Sequence, residues 1–514
     1  MVQLLNALSI LTLSSLASPA QIPIHEESHT EGYKFDALLH LPGISPYFDA
    51  VGSGLNHAAP RGCEVTAASY LIRHAAIYAN DDDYETYIEP FITKLNSTYS
   101  SSSLSGTKKK KRKGWTGPLS FFDRWKNPIT DPEKQMEMIT PQGIKDSKKV
   151  GKHLLSRYPK LVPTTRRIYA DKKDRTQDTA AAFVQVFPQA VEIVQIDLNR
   201  SSFHAQDPHK ACKAFSKKPG SDQFATFMHT YTLPILTRLR PFSPVELEAT
   251  DIMGLQQLCG YESAITGRKS DICGVFTDSE WMAYEYAWDL KYSYMVGHGN
   301  PLSPYLGFPW LNTTAALMGK FHEPRPRHHH GAASWRAARG RHGEGMESGE
   351  PDEAVGPDDD GQRFFLAFTH REVPPFIATA LGLFNSSNSH AEEFPTDRIN
   401  WSRSWRMAEL IPFLGHVGLE KLTCKTSRTG YGSSGDAGEE EEDVEEEYVR
   451  IIANTAPRPI PSCQDGPGAS CAFDRFVEFV RVGMETFGDF DGVCGNKDDH
   501  GHEVLDLNGE RKEL

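Results

Sequence analysis

The run Val65-Thr-Ala-Ala-Ser-Tyr-Leu-Ile72 is apolar and β-prone, and it ends abruptly in Arg73 and His74. Similar short strand-like runs recur at Arg167–Ala170, Val191–Ile196, Phe364–Thr369 and Tyr448–Ala453. Helix-like segments lie between them, among them Gln177–Phe187, Asp278–Tyr294 and Pro374–Leu383. Strands alternating with helices form a sheet whose faces are covered, so the pattern predicts an α/β protein. The stretch 200–325 is mostly helical in pattern and reads as an inserted subdomain, which leaves a discontinuous α/β core over 21–199 and 363–514.

A chain of 514 residues has ample length for a large core and for more than one structural unit. Its formal net charge of −13 argues against a general nucleic-acid binder. Residues 1–20 read as a secretory signal: Leu4–Leu16 is apolar, and the small residues Ala17, Ser18 and Ala20 follow. The basic start usual for such signals is missing, since no Lys or Arg precedes residue 34. The competing reading is a buried N-terminal helix. No later apolar run is long enough to span a bilayer. Eight cysteines, an even number, fit an oxidising compartment: Cys63, Cys212, Cys259, Cys273, Cys424, Cys463, Cys471 and Cys494. None forms a Cys-x-x-Cys pair, which argues against a zinc ribbon. Glycosylation sequons at Asn96, Asn199, Asn312, Asn385 and Asn400 point to the same place, outside the cell or in its wall.

Three segments lack the composition of a packed element. Ser100–Gly114 joins a serine run to the basic stretch Lys108–Lys113 and reads as a solvated loop, a nuclear signal being incompatible with a secretory start. His322–Gln362 is rich in Gly, Pro, Arg, His and Asp, and its part 326–362 reads as a disordered insertion. Metal binding by the triplet His328–His330 is the weaker reading of that stretch. Thr426–Glu447 is Gly/Ser-rich, then strongly acidic, and reads as a surface loop before the Tyr448 strand.

The chemistry gathers at strand ends. Arginine supplies a planar fork of donors that matches phosphate oxygens, and histidine can attack phosphorus or move protons. A second histidine stands in a similar setting in Phe364-Phe-Leu-Ala-Phe-Thr-His370-Arg-Glu372. With these residues the chain resembles the histidine acid phosphatases, and more closely their secreted fungal branch, which includes phytases. Leu71-Ile-Arg73-His74 and Thr369-His370 carry the likeness, with Asp171-Lys-Lys-Asp-Arg175-Thr, His209-Lys-Ala-Cys212, Gly299-Asn-Pro-Leu-Ser-Pro304 and Tyr448–Asn454 between and after them. The resemblance implies a phosphoglycerate-mutase-like central sheet flanked by helices. It implies hydrolysis of small phosphomonoesters, inositol phosphates above all, with no metal or organic cofactor. His74 would be the nucleophile that forms a phosphohistidine. Arg73, Arg175 and His370 would bind phosphate. The resemblance also suggests the disulfides Cys63–Cys424, Cys212–Cys494, Cys259–Cys273 and Cys463–Cys471.

The first motif departs from the family. Arg-His-Gly-x-Arg-x-Pro becomes Arg73-His74-Ala75-Ala76-Ile77-Tyr78-Ala79, and Ile77 removes a pocket charge. The usual His-Asp reads His370-Arg371-Glu372. One branch, the multiple inositol polyphosphate phosphatases, uses His-x-Glu, which makes Glu372 the candidate general acid. Arg371 is a candidate to supply the missing positive charge, provided that a turn follows His370. Otherwise it faces solvent or pairs with Glu372. The rival to the enzyme reading is a weakened or inactive paralogue that binds a phosphorylated ligand or serves as a cell-wall glycoprotein.

Overall fold

The computed structural model describes residues 34–100, 114–196, 202–319, 361–386, 389–429, 441–496, 503–505 and 511–512. The signal segment, Lys108–Lys113, Asn199 and His328–His330 lie outside the described residues.

The central sheet is built from β1 (Cys63–Arg73), β2 (Arg167–Asp171), β3 (Glu192–Ile196), β4 (Phe364–Thr369), β5 (His416–Thr429), β6 (Glu441–Ala453), β7 (Ala456–Arg458) and the short β8 (Cys471–Ala472). Its order is β3-β2-β4-β1-β5-β6-β7, with β8 also paired to β6. Strands β3, β2, β4 and β1 are parallel, whereas β5 to β8 join antiparallel. Every residue of β4 is buried, as its unbroken apolar run requires of a strand covered on both faces. The parallel half has one decisive consequence: β1, β2 and β4 all end at the same edge. Arg73 stands opposite Thr369, and Ala170 opposite Phe368, so the residues that follow each strand meet there.

Helices pack on the sheet and on one another. The main ones are α1 (Pro141–Arg157), α2 (Asp174–Val184), α3 (Ser221–Leu239), α4 (Ala249–Thr266), α5 (Asp278–Met295), α6 (Ser303–Gly319), α7 (Val373–Ala380) and α8 (Phe473–Phe487). Helix α5 starts on a capping box formed by Thr277 and Glu280, and it buries Trp281, Tyr284, Tyr286 and Leu290. Helices α6 and α7 cross so closely that a Cβ on Gly307 would stand 2.3 Å from the carbonyl oxygen of Phe376. That crossing braces α7, which begins directly after Glu372.

Two expectations about loops need correction. Thr426–Thr429 and Glu441–Glu447 are the far ends of a long β5–β6 hairpin, in register from Val417–Ala453 to Thr429–Glu441. The acidic residues occupy strand positions because the pairing of two long strands outweighs their weak intrinsic preference. Gln362, assigned to a disordered insertion, is buried. Its Oε1 accepts from the N–H groups of Arg166 and Arg167, and its Nε2 donates to Arg167 O at 3.0 Å.

All eight cysteines are joined, as Cys63–Cys424, Cys212–Cys494, Cys259–Cys273 and Cys463–Cys471. The first links residues already opposite one another on β1 and β5. Of the sequon asparagines, Asn96, Asn312 and Asn385 are exposed. Asn400 is half-buried and commits its Nδ2 to the carbonyl of Glu393 at 3.0 Å. Within the sheet, the buried Glu420 carboxylate accepts from Arg157 Nε (2.9 Å), Tyr158 Oη (2.5 Å) and Arg450 Nε (2.7 Å). Such a cluster persists in a core only when every charge has a partner.

Candidate active site

The common edge of β1, β2 and β4 gathers Arg73, His74, Asp171, His370, Arg371 and Glu372, and the start of α2 adds Arg175. Arg73 ends its strand with a backbone N–H to Gly415 O, 2.9 Å. Its Nη1 donates to Ile411 O at 2.8 Å, and the guanidinium lies 4.5 Å over the Phe413 ring. Its Nε has no protein acceptor among the described residues. Burial, and then the like charge of Arg371, pull its pKa down to about 10, so it stays a cation in acid.

His74 is fixed by its backbone and its ring. Its N–H donates to Thr369 O at 2.9 Å, and its carbonyl accepts from Leu414 N at 3.2 Å. Nδ1 stands 2.9 Å from Ala75 O. A carbonyl only accepts, so Nδ1 carries the proton and Nε2 keeps its lone pair. Burial, followed by Arg73, Arg175 and His370, holds the imidazole pKa well below its usual value. His74 is therefore a neutral base in moderately acid solution. Its ring lies 5.7 Å from that of His370, centre to centre.

The second histidine is part of a chain of partners. Arg175 Nε donates to His370 Nδ1 at 3.3 Å, and His370 Nε2 lies 2.6 Å from Asp171 Oδ2. A guanidinium can only donate, so Nδ1 is the acceptor and the neutral ring carries its proton on Nε2, close to Asp171 but without a hydrogen bond to it. The other Asp171 oxygen accepts from Lys173 N (2.6 Å) and Thr176 Oγ1 (2.9 Å), which ties it to the first turn of α2. Thr179 closes the frame: its hydroxyl accepts from Ala75 N at 2.9 Å and donates to Arg175 O.

A turn does follow His370, closed by a long contact of 3.4 Å from Val373 N to His370 O. It brings Arg371 inward. Arg371 is mostly buried, with Nε 3.5 Å from Glu372, Nη1 3.5 Å from Asp83 and Nη2 3.4 Å from Asn80. It also acts electrostatically on both Arg73 and Arg175. Arg371 is thus paired with Glu372, and its charge also reaches Arg73 and Arg175. Glu372 is buried. Burial raises its pKa, but Arg371, His209 and Lys217 outweigh it and hold the carboxyl well below its usual range. The free protein therefore carries Glu372 as a carboxylate. Ile77 is buried in the main hydrophobic core and bridges to Ile139.

Sequence reasoning did not assign roles to Asp171, Asp207, Glu137, Asp83 or Asn80. Asp171 carried a usable signal, because it ends a buried strand just as Arg73 does. Glu137 pairs with Arg175 Nη1 and accepts from Asn80 Nδ2, and nothing in its own segment marks it. Asp207 lies 3.0 Å from His209 and 3.7 Å from His370. Asp171, Asp207 and His370 come close enough together to invite a metal. Asp171 Oδ2 and His370 Nε2 stand 2.6 Å apart, whereas donors around an ion at ~2.1 Å stand roughly 3 Å apart or more. The group formed by Cys463, Asp465 and Cys471 has its two sulfurs in a disulfide.

Known proteins are similar to this chain in sequence and fold. The acid phosphatase of Komagataella pastoris is 24% identical over 478 residues, which cover 90% of this chain and 87% of that protein. Phytase A of Aspergillus oryzae is 25% identical, covering 93% and 96%. Among solved structures, the phytase from D. castellii has the same fold with a TM-score of 0.69 at 20% identity, covering 95% of this chain and 92% of its own. The multiple inositol polyphosphate phosphatase of Bifidobacterium longum, in complex with inositol hexasulfate, reaches 0.51 at 12% identity, covering 86% and 97%. The family model described as histidine phosphatase superfamily (branch 2) matches residues 64–454, from the start of β1 to the end of β6, and so takes in every strand that delivers a site residue. With a match of that extent, the chain belongs to the histidine phosphatase superfamily, branch 2.

Proposed function

We propose that the protein is a secreted acid phosphatase that hydrolyses phosphomonoesters through a phosphohistidine at His74, with inositol phosphates as its substrate class. The observation that carries this reading is the state of His74: neutral, with Nδ1 committed to Ala75 O, beside the charges of Arg73 and Arg175, on which Arg371 in turn acts. A neutral imidazole beside these two cations is suited to attack a phosphorus atom whose oxygens they hold.

In this reading Nε2 of His74 attacks phosphorus while the bond to the ester oxygen breaks. Glu372 delivers a proton to the leaving oxygen. Water then attacks the phosphohistidine and gives its proton to the Glu372 carboxylate, the P–N bond breaks, and Glu372 passes that proton to the departing phosphate, which restores the carboxylate. Glu372 starts ionised, so the proton enters with the ester, which is a monoanion below its second pKa of about 6. Arg371 takes up the charge that Ile77 does not supply. Secretion is favoured by the signal-like start and by four disulfides. The weakened-paralogue reading is favoured by Ile77, an apolar residue where the family carries an arginine.

The test is turnover of the purified protein with 4-nitrophenyl phosphate and phytate in acid, with His74→Ala as the control. Turnover in the wild type, an acid-labile phosphoprotein trapped on quenching and loss of both in His74→Ala are the expected results. Absence of turnover with orthophosphate still bound would select the inactive paralogue.

A further inference from the structure

We infer that Glu137 is an internal competitor for the phosphate-binding face of Arg175, a carboxylate held on the guanidinium by the fold and displaced by the incoming phosphate. The inference rests on the reading of Arg175 as a phosphate ligand. Glu137 reaches the site through its backbone. Glu137 N donates to Ala79 O (2.9 Å), Tyr78 N to Met138 O (3.0 Å) and Thr140 N to Ala76 O (2.8 Å). Residues 137–140 therefore run antiparallel along 76–79, the stretch that follows His74. Glu137 itself has φ 62°, in the left-handed region that a residue with a side chain avoids unless its surroundings enforce it.

That conformation places one carboxylate oxygen on Arg175 Nη1 and the other on Asn80 Nδ2. Asn80 Oδ1 in turn faces Arg371 Nη2 at 3.4 Å, so one anion and one amide tie two of the three arginines together. The guanidinium fork of Arg175 already spends Nε on His370. With Nη1 also facing Glu137, three N–H donors remain, and a phosphate that takes the Nη1 edge has to displace the carboxylate. The opposite role would be a brace that holds Arg175 ready for phosphate. The two roles differ in sign: removing a competitor tightens phosphate binding, whereas removing a brace loosens it.

The experiment measures orthophosphate binding at one acid pH, by calorimetry and by competitive inhibition of 4-nitrophenyl phosphate hydrolysis, in wild type, Glu137→Gln, Arg175→Ala and the double variant. Glu137→Gln should lower the dissociation constant about tenfold, a change of ~1.4 kcal/mol. In the Arg175→Ala background the same substitution should have no effect. An unchanged or higher constant in Glu137→Gln, with Arg175→Ala binding weakly, overturns the competitor and leaves Arg175 as a phosphate ligand. If Arg175→Ala binds orthophosphate as well as wild type, the underlying reading fails and the inference falls with it. Should Glu137→Gln not fold, Glu137→Asp, which draws the carboxylate back by one methylene, is measured with the same expected direction.

Discussion

Replacing Asp171 by Asn tests the frame that orients the site. Asp171 engages both oxygens: Oδ1 accepts from Lys173 N at 2.6 Å and Thr176 Oγ1 at 2.9 Å, while Oδ2 stands in close contact with His370 Nε2 at 2.6 Å. An amide has one acceptor and one donor end, so either orientation sets the new N–H₂ against a donor. Leaving one buried donor unpaired costs about 1–3 kcal/mol. If the misfit falls on His370, its proton moves to Nδ1, Arg175 Nε loses its acceptor and the guanidinium turns. The same 1–3 kcal/mol then appears as a roughly 5- to 150-fold loss in kcat/KM. If the misfit falls on Lys173, the start of α2 loosens and the loss appears in unfolding free energy. The assays are initial rates with 4-nitrophenyl phosphate and urea unfolding followed by circular dichroism. A variant within twofold of wild type in kcat/KM and unchanged in its unfolding midpoint would show that Asp171 does not orient His370, and would refute the tautomer argument.

Four further outcomes are expected. Glu372→Gln should slow alkyl phosphates much more than 4-nitrophenyl phosphate, whose leaving group needs no proton; equal losses on the two would remove Glu372 as the acid. In the wild type, kcat/KM should fall as pH rises above about 6, where the ester loses its proton, and His74 should not become limiting until well below pH 6.5, since its pKa is lowered and its neutral form persists into acid. Arg371→Ala should lower kcat/KM by about tenfold or more through loss of one cation near the phosphate, and steady-state kinetics showing no change would exclude that role. Glu420→Ala should destabilise the protein by about 3–5 kcal/mol in urea unfolding, because the half-buried Arg157 and the buried Arg450 lose their shared carboxylate, and a change below about 1 kcal/mol would contradict the pairing.

The strands were legible where their sequences are apolar. Val65–Ile72 lies inside β1, Phe364–Thr369 coincides with β4, and both end at the residues that matter. The hairpin was legible only in part. β5 carries Glu420 and Lys421 in its buried interior, and the first half of β6 is acidic, so neither has the pattern of a strand. Their charges are offset by partners far away in sequence, such as Arg157, Arg450 and Glu447. Arg371 was legible as an anomaly, but its direction depended on the turn after His370, and a single residue of further strand would have sent it the other way.

The sequence by itself determined which strands carry reactive residues at their ends, because an apolar run that stops at Arg73-His74 or Thr369-His370 can place those groups only at a sheet edge. Resemblance extended this to Arg175 and to the four cysteine pairs. Tertiary structure alone decided the protonation states and the partners. The neutrality of His74, the ionisation of Glu372 and the Asp171–His370–Arg175 chain all depend on which charges stand within a few ångströms once β1, β2 and β4 lie parallel. Glu137 is the limiting case. Its identity is ordinary and its segment unremarked, and only the antiparallel run of 137–140 along 76–79 brings its carboxylate onto Arg175, since electrostatic interactions follow distance in space and not separation along the chain.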